Sequence, residues 1–252
     1  AGLGIGAMMD EIAAATPGDC FHAALEAFRV AVKYMTPVVL PPDAYPANSS
    51  EPWKLPDVDT LPRSPVTFRT DPEGYQPYAR NPETLARDWA IPGTKGLEHR
   101  IGGLEKEEGS GNISYSPENH ERMQRLRADK VARIAQDVPL AETNGPDRGD
   151  VLVVGWGSTK GAIASAVEEA QGLGLSVSSV HLRWLNPLPS NLGDVLRRFR
   201  RVLVPELNQG QLAMLLRARF LVDAQPFGKV QGQPFKVGEI RAQIEAMARG
   251  EA

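Results

Sequence analysis

The sequence predicts an α/β protein whose C-terminal part is a three-layer domain built on a parallel sheet. From Asp150 onward, strand-forming runs alternate with helix-forming runs. A glycine-rich turn joins the first strand to the first helix. Strands that alternate with helices indicate parallel βαβ units, which need helices on both faces of the sheet. The strands are "DVLVVGW", "SVSSVHLRWL" and "RRVLVPE", and the helices are "TKGAIASAVEEAQGLG", "SNLGDVLRRF", "QGQLAMLLRARF" and "VGEIRAQIEAMA".

The composition is that of an ordinary globular protein. The chain has 252 residues, of which 42% are hydrophobic and 23% charged, and a formal net charge of -3 gives no electrostatic reason to expect nucleic-acid or membrane binding. No apolar run approaches the roughly 18 residues that span a bilayer, and no signal-peptide pattern opens the sequence. The single cysteine, Cys20, excludes an internal disulfide and cannot supply the four thiolates of an iron–sulfur cluster. We therefore predict a cytoplasmic protein.

The first helix is predicted from Thr16 onward. Thr16 suits the N-cap position, Pro17 the first helical position, and Asp19 places a negative charge in the first turn. Four apolar residues recur at helical spacing and are expected to form its buried face: Phe21, Leu25, Phe28 and Val32. The helix should end at Thr36, before a proline, and residues 38–40 should form a short buried strand.

The segment after Pro41 is dense in proline and reads as an irregular connector. Its aromatic residues indicate that it packs on the rest of the protein. A helix with Ser116 as its N-cap and Pro117 next follows this connector. We therefore divide the chain at residues 1–60, 61–148 (a proline-rich linker plus a helix) and 149–252 (the α/β domain).

The glycine turn from Gly155 to Gly161 has two readings. A helix N-terminus after a glycine turn can hold a phosphate, and the turn would then be part of a dinucleotide site. The G-x-G-x-x-G pattern fails here because Lys160 stands where the last glycine belongs. The next strand ends without an acid for the ribose, although Arg183 would suit the 2′-phosphate of NADP. The pattern favours a purely structural turn, and an NADP-binding module is the alternative.

Longer segments carry a family resemblance. The stretch from Val151 to Pro189, which contains Arg183-Trp184-Leu185-Asn186-Pro187-Leu188, resembles the C-terminal domain of transketolase-like thiamine enzymes. Four further blocks resemble the α subunit of bacterial 2-oxoacid:ferredoxin oxidoreductases, the 2-oxoglutarate type above all. These blocks are "TPGDCFHAALEAFRVAVKYMTPVVL", "ANSSEPWKLPDVD", "GLEHRIGGLEKEEGSGNISYSPENHERMQRLRADKVARIA" and "KVQGQPFKVGEI".

The resemblance implies a fold and an activity. Residues 1–60 would be part of a pyrimidine-binding domain, and residues 149–252 a transketolase C-terminal-like domain. The assembled enzyme would decarboxylate a 2-oxoacid oxidatively, form acyl-CoA from coenzyme A and pass electrons to ferredoxin. Thiamine diphosphate, Mg²⁺ and a [4Fe–4S] cluster would be held mainly by a partner β subunit, and none is expected on this chain alone.

The resemblance also implies where a site would lie. The family's catalytic glutamate and its 2-oxoacid-binding arginine would lie upstream of Ala1, so the chain is expected to be the C-terminal portion of the subunit and inactive alone. No catalytic residue and no metal ligand is assigned to it. Asp43 and Asn48 are the candidate cofactor-binding residues, because the matching family loop lies on the cofactor side. In that loop Ala44 and Ser49 replace the usual glycines, which stiffens it.

Other features have simpler explanations. His99 is predicted to be a hydrogen-bonded structural residue, and Cys20 a small packed residue rather than a nucleophile. A third reading of the whole chain is a non-catalytic scaffold or assembly subunit that keeps the fold's interface. It would associate with a β subunit without adding 2-oxoacid-dependent ferredoxin reduction.

Overall fold

The computed structural model describes residues 9–41 and 43–250. Within them the chain forms two compact units. The first unit contains residues 9–11, 24–39 and 54–137, and the second contains residues 12–23, 40–53 and 138–250.

The strands and helices follow one another along the chain in the predicted alternation. The strands are β1 (Asp10–Ile12), β2 (Val38–Val39), β3 (Phe68–Arg69), β4 (Trp89–Ala90), β5 (Gly149–Trp156), β6 (Val177–Leu182), β7 (Trp184–Asn186), β8 (Phe199–Glu206) and β9 (Ala224–Gly228). The α-helices are α1 (Asp19–Tyr34), α2 (Ala44–Asn48), α3 (Pro117–Ile134), α4 (Lys160–Gly172), α5 (Leu192–Arg197), α6 (Gln211–Phe220) and α7 (Val237–Arg249). Single 3-10 turns occur at Val58–Thr60 and Gly157–Thr159.

A four-stranded parallel sheet is the centre of the second unit. Its strand order is β6-β5-β8-β9, and every neighbouring pair is parallel. Side chains alternate between the two faces of a strand. Val151 and Val153 of β5 therefore pack on one face, and Leu152 and Val154 on the other.

Helices cover both faces of this sheet. Helices α4 and α7 bury their apolar residues with Val151 and Val153, and helices α5 and α6 bury theirs with Leu152 and Val154. Each fully buried leucine or isoleucine stabilises such a core by about 1.5–3 kcal/mol. The three-layer parallel α/β architecture is thus confirmed.

Strand β9 was not predicted. It pairs with β8 at the edge of the sheet and contains Pro226. A proline cannot donate to a strand ladder and is tolerated at an edge. The sequence "AQPFG" therefore lacks the pattern of an interior strand. Only its pairing with β8 identifies the segment as a strand.

The buried face of helix α1 differs from the prediction. Phe21 is 36% exposed and Phe28 is 58% exposed. The buried stripe is instead formed by Ala23, Ala27, Val30 and Tyr34, which also recur at helical spacing. The helix carries two apolar stripes, and the one that begins with Ala23 and Ala27 is the buried one.

The strand after α1 is shorter and less buried than predicted. It comprises Val38 and Val39, which pair in parallel with Asp10 and Glu11 of β1. Val39 is 36% exposed and Leu40 is 37% exposed. The prediction of a buried strand over residues 38–40 was wrong in its burial and in its last residue.

The proline-rich segment of the first unit has little regular structure but packs on its own unit. Strands β3 and β4 form one short parallel pair. The indole N–H of Trp89 donates to the carbonyl of Val32 at 2.9 Å. Helix α3 begins as predicted, because the Ser116 hydroxyl accepts the Asn119 backbone N–H at 3.1 Å and Pro117 follows it. In the part of the chain that the structure describes, no helix combines the length and apolarity that crossing a membrane requires.

Candidate functional site

The glycine turn between β5 and α4 is tightly packed. A Cβ atom on Gly155 would lie 2.2 Å from Cδ1 of Ile163 and 2.8 Å from the Thr159 hydroxyl. Gly157 has a φ of +57°, a conformation that favours glycine. The glycines at 155 and 157 therefore serve helix packing and the sharp turn.

Asp43 binds the backbone of this turn. Its Oδ2 accepts the backbone N–H of Ser158 at 2.9 Å. Its Oδ1 accepts the backbone N–H of Tyr45 at 3.0 Å and so caps helix α2. A carboxylate of the protein itself occupies the position that a phosphate would take at a helix N-terminus.

The dinucleotide reading of the turn loses its main support from this arrangement. The Ser158 N–H already has an anionic acceptor. Arg183, the other residue that this reading needed, pairs with Asp19 at 2.5 Å. The Asp43 carboxylate would have to leave before a phosphate could bind at the turn.

Asn48, the second candidate residue, lies at the end of the short helix α2. Its side-chain Nδ2 donates to the carbonyl of Ala44 at 2.8 Å, and the residue is exposed. Asp43 and Asn48 thus lie at opposite ends of α2, and both stabilise the loop in which they lie. Their contact with a cofactor stays a prediction.

Glu51 lies at the other end of the same loop and fixes it by hydrogen bonds. It was not predicted from the sequence as a site residue. Its Oε1 accepts the Thr16 hydroxyl at 2.7 Å and the Gly18 backbone N–H at 2.6 Å. These hydrogen bonds, the one from Thr16 first, lower the pKa of the Glu51 carboxyl. A Cβ atom on Gly18 would lie 2.6 Å from Oε1 of Glu51 and 2.7 Å from Cδ1 of Trp53. Glu51 and Trp53 therefore leave no room for a side chain at Gly18, the residue just before α1.

Aromatic contacts complete this fit. The ring centroid of Trp53 lies 5.1 Å from that of Phe21 and 6.4 Å from that of His22. Edge-to-face and tilted pairs at such distances contribute about 0.5–1.5 kcal/mol beyond their buried area. The motif Glu51-Pro52-Trp53 is the sequence signal that could have pointed to these contacts with the start of helix α1.

His181 lies at the carboxyl end of β6. Burial lowers the pKa of its imidazole to about 4, and the nearby Lys160 adds to this shift. Neither ring nitrogen has a hydrogen-bond partner among the described residues. The residue is therefore a neutral histidine at physiological pH.

His99 is hydrogen-bonded, as predicted for a structural residue. Its Nδ1 lies 2.8 Å from the carbonyl oxygen of Leu97 and 3.1 Å from the hydroxyl of Tyr75. A carbonyl oxygen only accepts, so Nδ1 carries a hydrogen and donates it to Leu97.

Among the described residues, Cys20 is hydrogen-bonded to no base that could activate it. Its thiol donates weakly to the Thr16 carbonyl at 3.5 Å. Burial raises the pKa of this thiol, and Asp19 raises it further. A raised pKa disfavours the reactive thiolate. Within residues 9–41 and 43–250, no group of three or more histidine, cysteine, aspartate or glutamate side chains is arranged to hold a metal ion.

The comparison with known protein families gives the first evidence for the class of this protein. Residues 6–116 match the family described as pyruvate flavodoxin/ferredoxin oxidoreductase, thiamine diphosphate-binding. Residues 6–116 are therefore similar in sequence to a thiamine diphosphate-binding oxidoreductase family.

Two individual relatives indicate which enzymes of this class the chain resembles. The chain is 52% identical, over 95% of its length, to 2-oxoglutarate oxidoreductase subunit KorA of Mycobacterium tuberculosis. It is 29% identical, over 75% of its length, to subunit alpha of 2-oxoacid:ferredoxin oxidoreductase 1 of Aeropyrum pernix. The chain spans 36% of the first relative and 30% of the second.

A solved structure agrees with these relatives. The chain superposes on 2-oxoglutarate:ferredoxin oxidoreductase of Magnetococcus marinus, determined with 2-oxoglutarate, coenzyme A and succinyl-CoA bound. The TM-score is 0.85 at 25% identity, and the match covers 95% of this chain and 42% of that chain. The chain is thus a sequence and structural relative of 2-oxoacid:ferredoxin oxidoreductase α subunits, which confirms the resemblance and the predicted fold class.

Proposed function

We propose that the chain is a portion of the α subunit of a 2-oxoacid:ferredoxin oxidoreductase, with 2-oxoglutarate as the substrate. The observation that carries this proposal is the 52% identity to a 2-oxoglutarate oxidoreductase subunit over 95% of the chain. The assembled enzyme would decarboxylate the 2-oxoacid oxidatively, form an acyl-CoA and pass two electrons to ferredoxin.

The proposal includes a partner and cofactors. A β subunit would hold thiamine diphosphate, Mg²⁺ and a [4Fe–4S] cluster, and coenzyme A and ferredoxin would be co-substrates. Support comes from the thiamine-binding family match and from the coenzyme A and succinyl-CoA bound to the Magnetococcus enzyme. The cytoplasm is the proposed compartment.

The carboxylates of Asp43 and Glu51 do not by themselves fit thiamine diphosphate or its metal ion. Both oxygens of Asp43 and one oxygen of Glu51 already accept hydrogen bonds from the protein. A carboxylate that is bonded in this way is a poor candidate to activate an aminopyrimidine or to bind Mg²⁺. The catalytic groups would therefore come from other parts of the assembled enzyme, and we assign no chemical step to this chain.

The role proposed for this portion is to hold the loop of residues 43–51 in a fixed position on the cofactor side. Asp43 fastens one end of the loop to the glycine turn, and Glu51 fastens the other end to the start of α1. Asn48 lies between them and uses only one amide proton in a hydrogen bond to a described residue. It is the member of the candidate pair whose side chain retains free polar groups for a cofactor.

A pull-down tests the proposed assembly. The tagged chain is recovered from the cells that make it, and thiamine diphosphate and iron are assayed in the eluate. Both should co-elute with a second polypeptide of β-subunit sequence. A chain that elutes alone and free of both would contradict the proposal.

An activity assay of the recovered complex separates the parts of the proposal. The complex should reduce ferredoxin with 2-oxoglutarate and coenzyme A faster than with pyruvate. A preference for pyruvate would overturn the substrate and keep the family. A complex that contains the β subunit but gains no 2-oxoacid-dependent activity from the chain would identify it as a scaffold subunit. Asn48→Ala should raise the thiamine diphosphate concentration needed for half-maximal activity, whereas the exposed Asn81→Ala serves as the control.

A further inference from the structure

Three cations in the first unit, Arg80, Arg87 and Lys130, form no ion pair with a carboxylate of the described residues. Arg80 and Arg87 face each other across an antiparallel backbone bridge. Helix α3, which carries Lys130, contacts the loop between these two arginines, because Arg133 of the same helix donates to the carbonyl of Glu83 at 3.2 Å. Among the described residues, none of the three forms an ion pair with a carboxylate, whereas Arg122, Arg125 and Arg127 of the same helix all do.

Backbone carbonyls hold the three cations in place. Arg80 donates to Leu85 at 2.9 Å, Arg87 to Pro77 at 3.2 Å and Lys130 to Met35 at 2.8 Å. These bonds use one donor of each side chain, and no described residue accepts a hydrogen bond from their other donors. The arrangement fixes three positive charges without neutralising them.

Keeping these cations together is unfavourable unless something else binds to them. Lys130 is only 9% exposed, and the buried Nε of Arg80 has no hydrogen-bond partner in the described structure. Burial, together with the charges of Arg80 and Arg87, lowers the pKa of Lys130 to about 8. A buried, uncompensated cation destabilises a fold, so an unpaired cluster calls for an anion.

The nearby acids do not supply that anion. Asp10 faces Lys130, but burial raises the pKa of Asp10 to about 7, so its charge is partial at neutral pH. Glu108 faces Arg80 and is paired with Arg122. Glu105 is shared between Arg127 and His120.

We propose that Arg80, Arg87 and Lys130 form a binding site for a phosphate group, either free or as part of a phosphate ester. Planar guanidinium groups match the oxygens of phosphate with two parallel hydrogen bonds each, and lysine adds a point charge. Arg80 and Arg87 are partly exposed, so a ligand reaches them from solvent. The proposal does not depend on the oxidoreductase function.

Calorimetric titration of the full chain with inorganic phosphate at constant ionic strength tests the site. Arg87→Gln should weaken binding about tenfold or more, because a charge-assisted hydrogen bond is lost. The control is Arg125→Gln on helix α3, whose side chain is 75% exposed and pairs with Glu121; its affinity should equal that of the wild type. Absence of binding at millimolar phosphate, or equal affinities for the wild type and Arg87→Gln, would overturn the proposal.

Two further comparisons sharpen the test. Between pH 7 and pH 9 the affinity of the wild type relative to that of Lys130→Met should fall, because Lys130 gives up its proton. Comparison of the two proteins at each pH cancels the ionisation of phosphate itself. Loss of affinity to the same degree in Lys130→Met would argue against a role for this lysine and thus against the site. Titration with a nucleoside diphosphate distinguishes the sources: tighter binding than inorganic phosphate identifies a phosphate ester, and equal binding identifies the free ion.

Discussion

At the scale of single residues, a few polar side chains fix the loop of residues 43–51, which belongs to the second unit. Asp43 satisfies two backbone N–H groups that are far apart in sequence, those of Tyr45 and Ser158. Glu51 does the same with a hydroxyl and a backbone N–H. Such side-chain bonds to backbone are specific in position, and each contributes about 0.5–1.5 kcal/mol.

Asp43→Ala should destabilise the protein more than Asp57→Ala. Asp43 loses both a helix cap and a long-range bond, whereas Asp57 caps only the 3-10 turn at Val58–Thr60 through the Asp59 N–H. We expect a loss of about 1–2 kcal/mol for the first change and less than about 1 kcal/mol for the second. Urea unfolding followed by circular dichroism measures both. Equal losses would mean that the bond to Ser158 contributes nothing.

A second residue-scale prediction concerns Asp10, which is fully buried in the first unit. Burial raises the pKa of Asp10 from 3.8 to about 7, although Thr36 and Lys130 act in the opposite direction. Between these two pH values the folded state keeps a proton that the unfolded chain releases. The contribution of Asp10 to the free energy of unfolding therefore falls as pH rises from about 4 to 7, by at most about 1.4 kcal/mol per pH unit.

Asp10→Asn should remove this dependence. The difference in unfolding free energy between the variant and the wild type should move in favour of the variant from pH 4 to pH 7 and then level off. Denaturant titrations at several pH values measure it. A constant difference would show that Asp10 titrates normally in the fold.

At the scale of elements, the strand–turn–helix of β5 and α4 shows how much the sequence predicted. Both elements and the structural nature of the turn follow from glycine spacing and from the absence of an acid at the end of β6. The bond from Ser158 to Asp43 spans 115 residues, and no local pattern encodes it. The same limit explains why α1 was predicted as a helix but with the wrong buried face: burial depends on neighbours that are distant in sequence.

Substitution by alanine at two glycines of this element should have opposite effects on stability. Gly155→Ala places a Cβ 2.2 Å from Ile163, so it should destabilise the protein by roughly 1–3 kcal/mol. Gly161 lies in α4 with nothing within 4 Å of a new Cβ. Gly161→Ala should therefore be neutral or stabilise by up to about 1 kcal/mol. Thermal unfolding of the two variants gives the comparison, and a stabilised Gly155→Ala would contradict the packing.

At the scale of the whole molecule, the second unit contains a complete parallel sheet with helices on both faces. The sequence predicted this domain from residue 149 onward, and that boundary stays a prediction. The structure adds contacts just upstream of it. The side chain of Asn191 exchanges two hydrogen bonds with the backbone of Ala141, at 2.8 and 2.9 Å, and Asn144 pairs with the backbone of Ser179.

We expect residues 138–252 to unfold cooperatively when expressed alone, and residues 149–252 to be less stable than this longer fragment. The shorter fragment lacks the partners of Asn191 and Ser179 but keeps the sheet and both helix layers. Thermal scans of both fragments test the boundary. A shorter fragment that is as stable as the longer one would place the domain start at residue 149.

The loop between Asp43 and Glu51 is anchored at both ends, and this has a consequence for engineering. Ser50 is exposed and lies next to the second anchor, so extra residues added there would bulge into solvent while both anchors stay in contact. The entropy cost of closing a flexible insertion grows only slowly with its length. A reporter peptide placed at this point would leave the fold intact, and any change in the assembled enzyme's turnover would then report on what the loop faces.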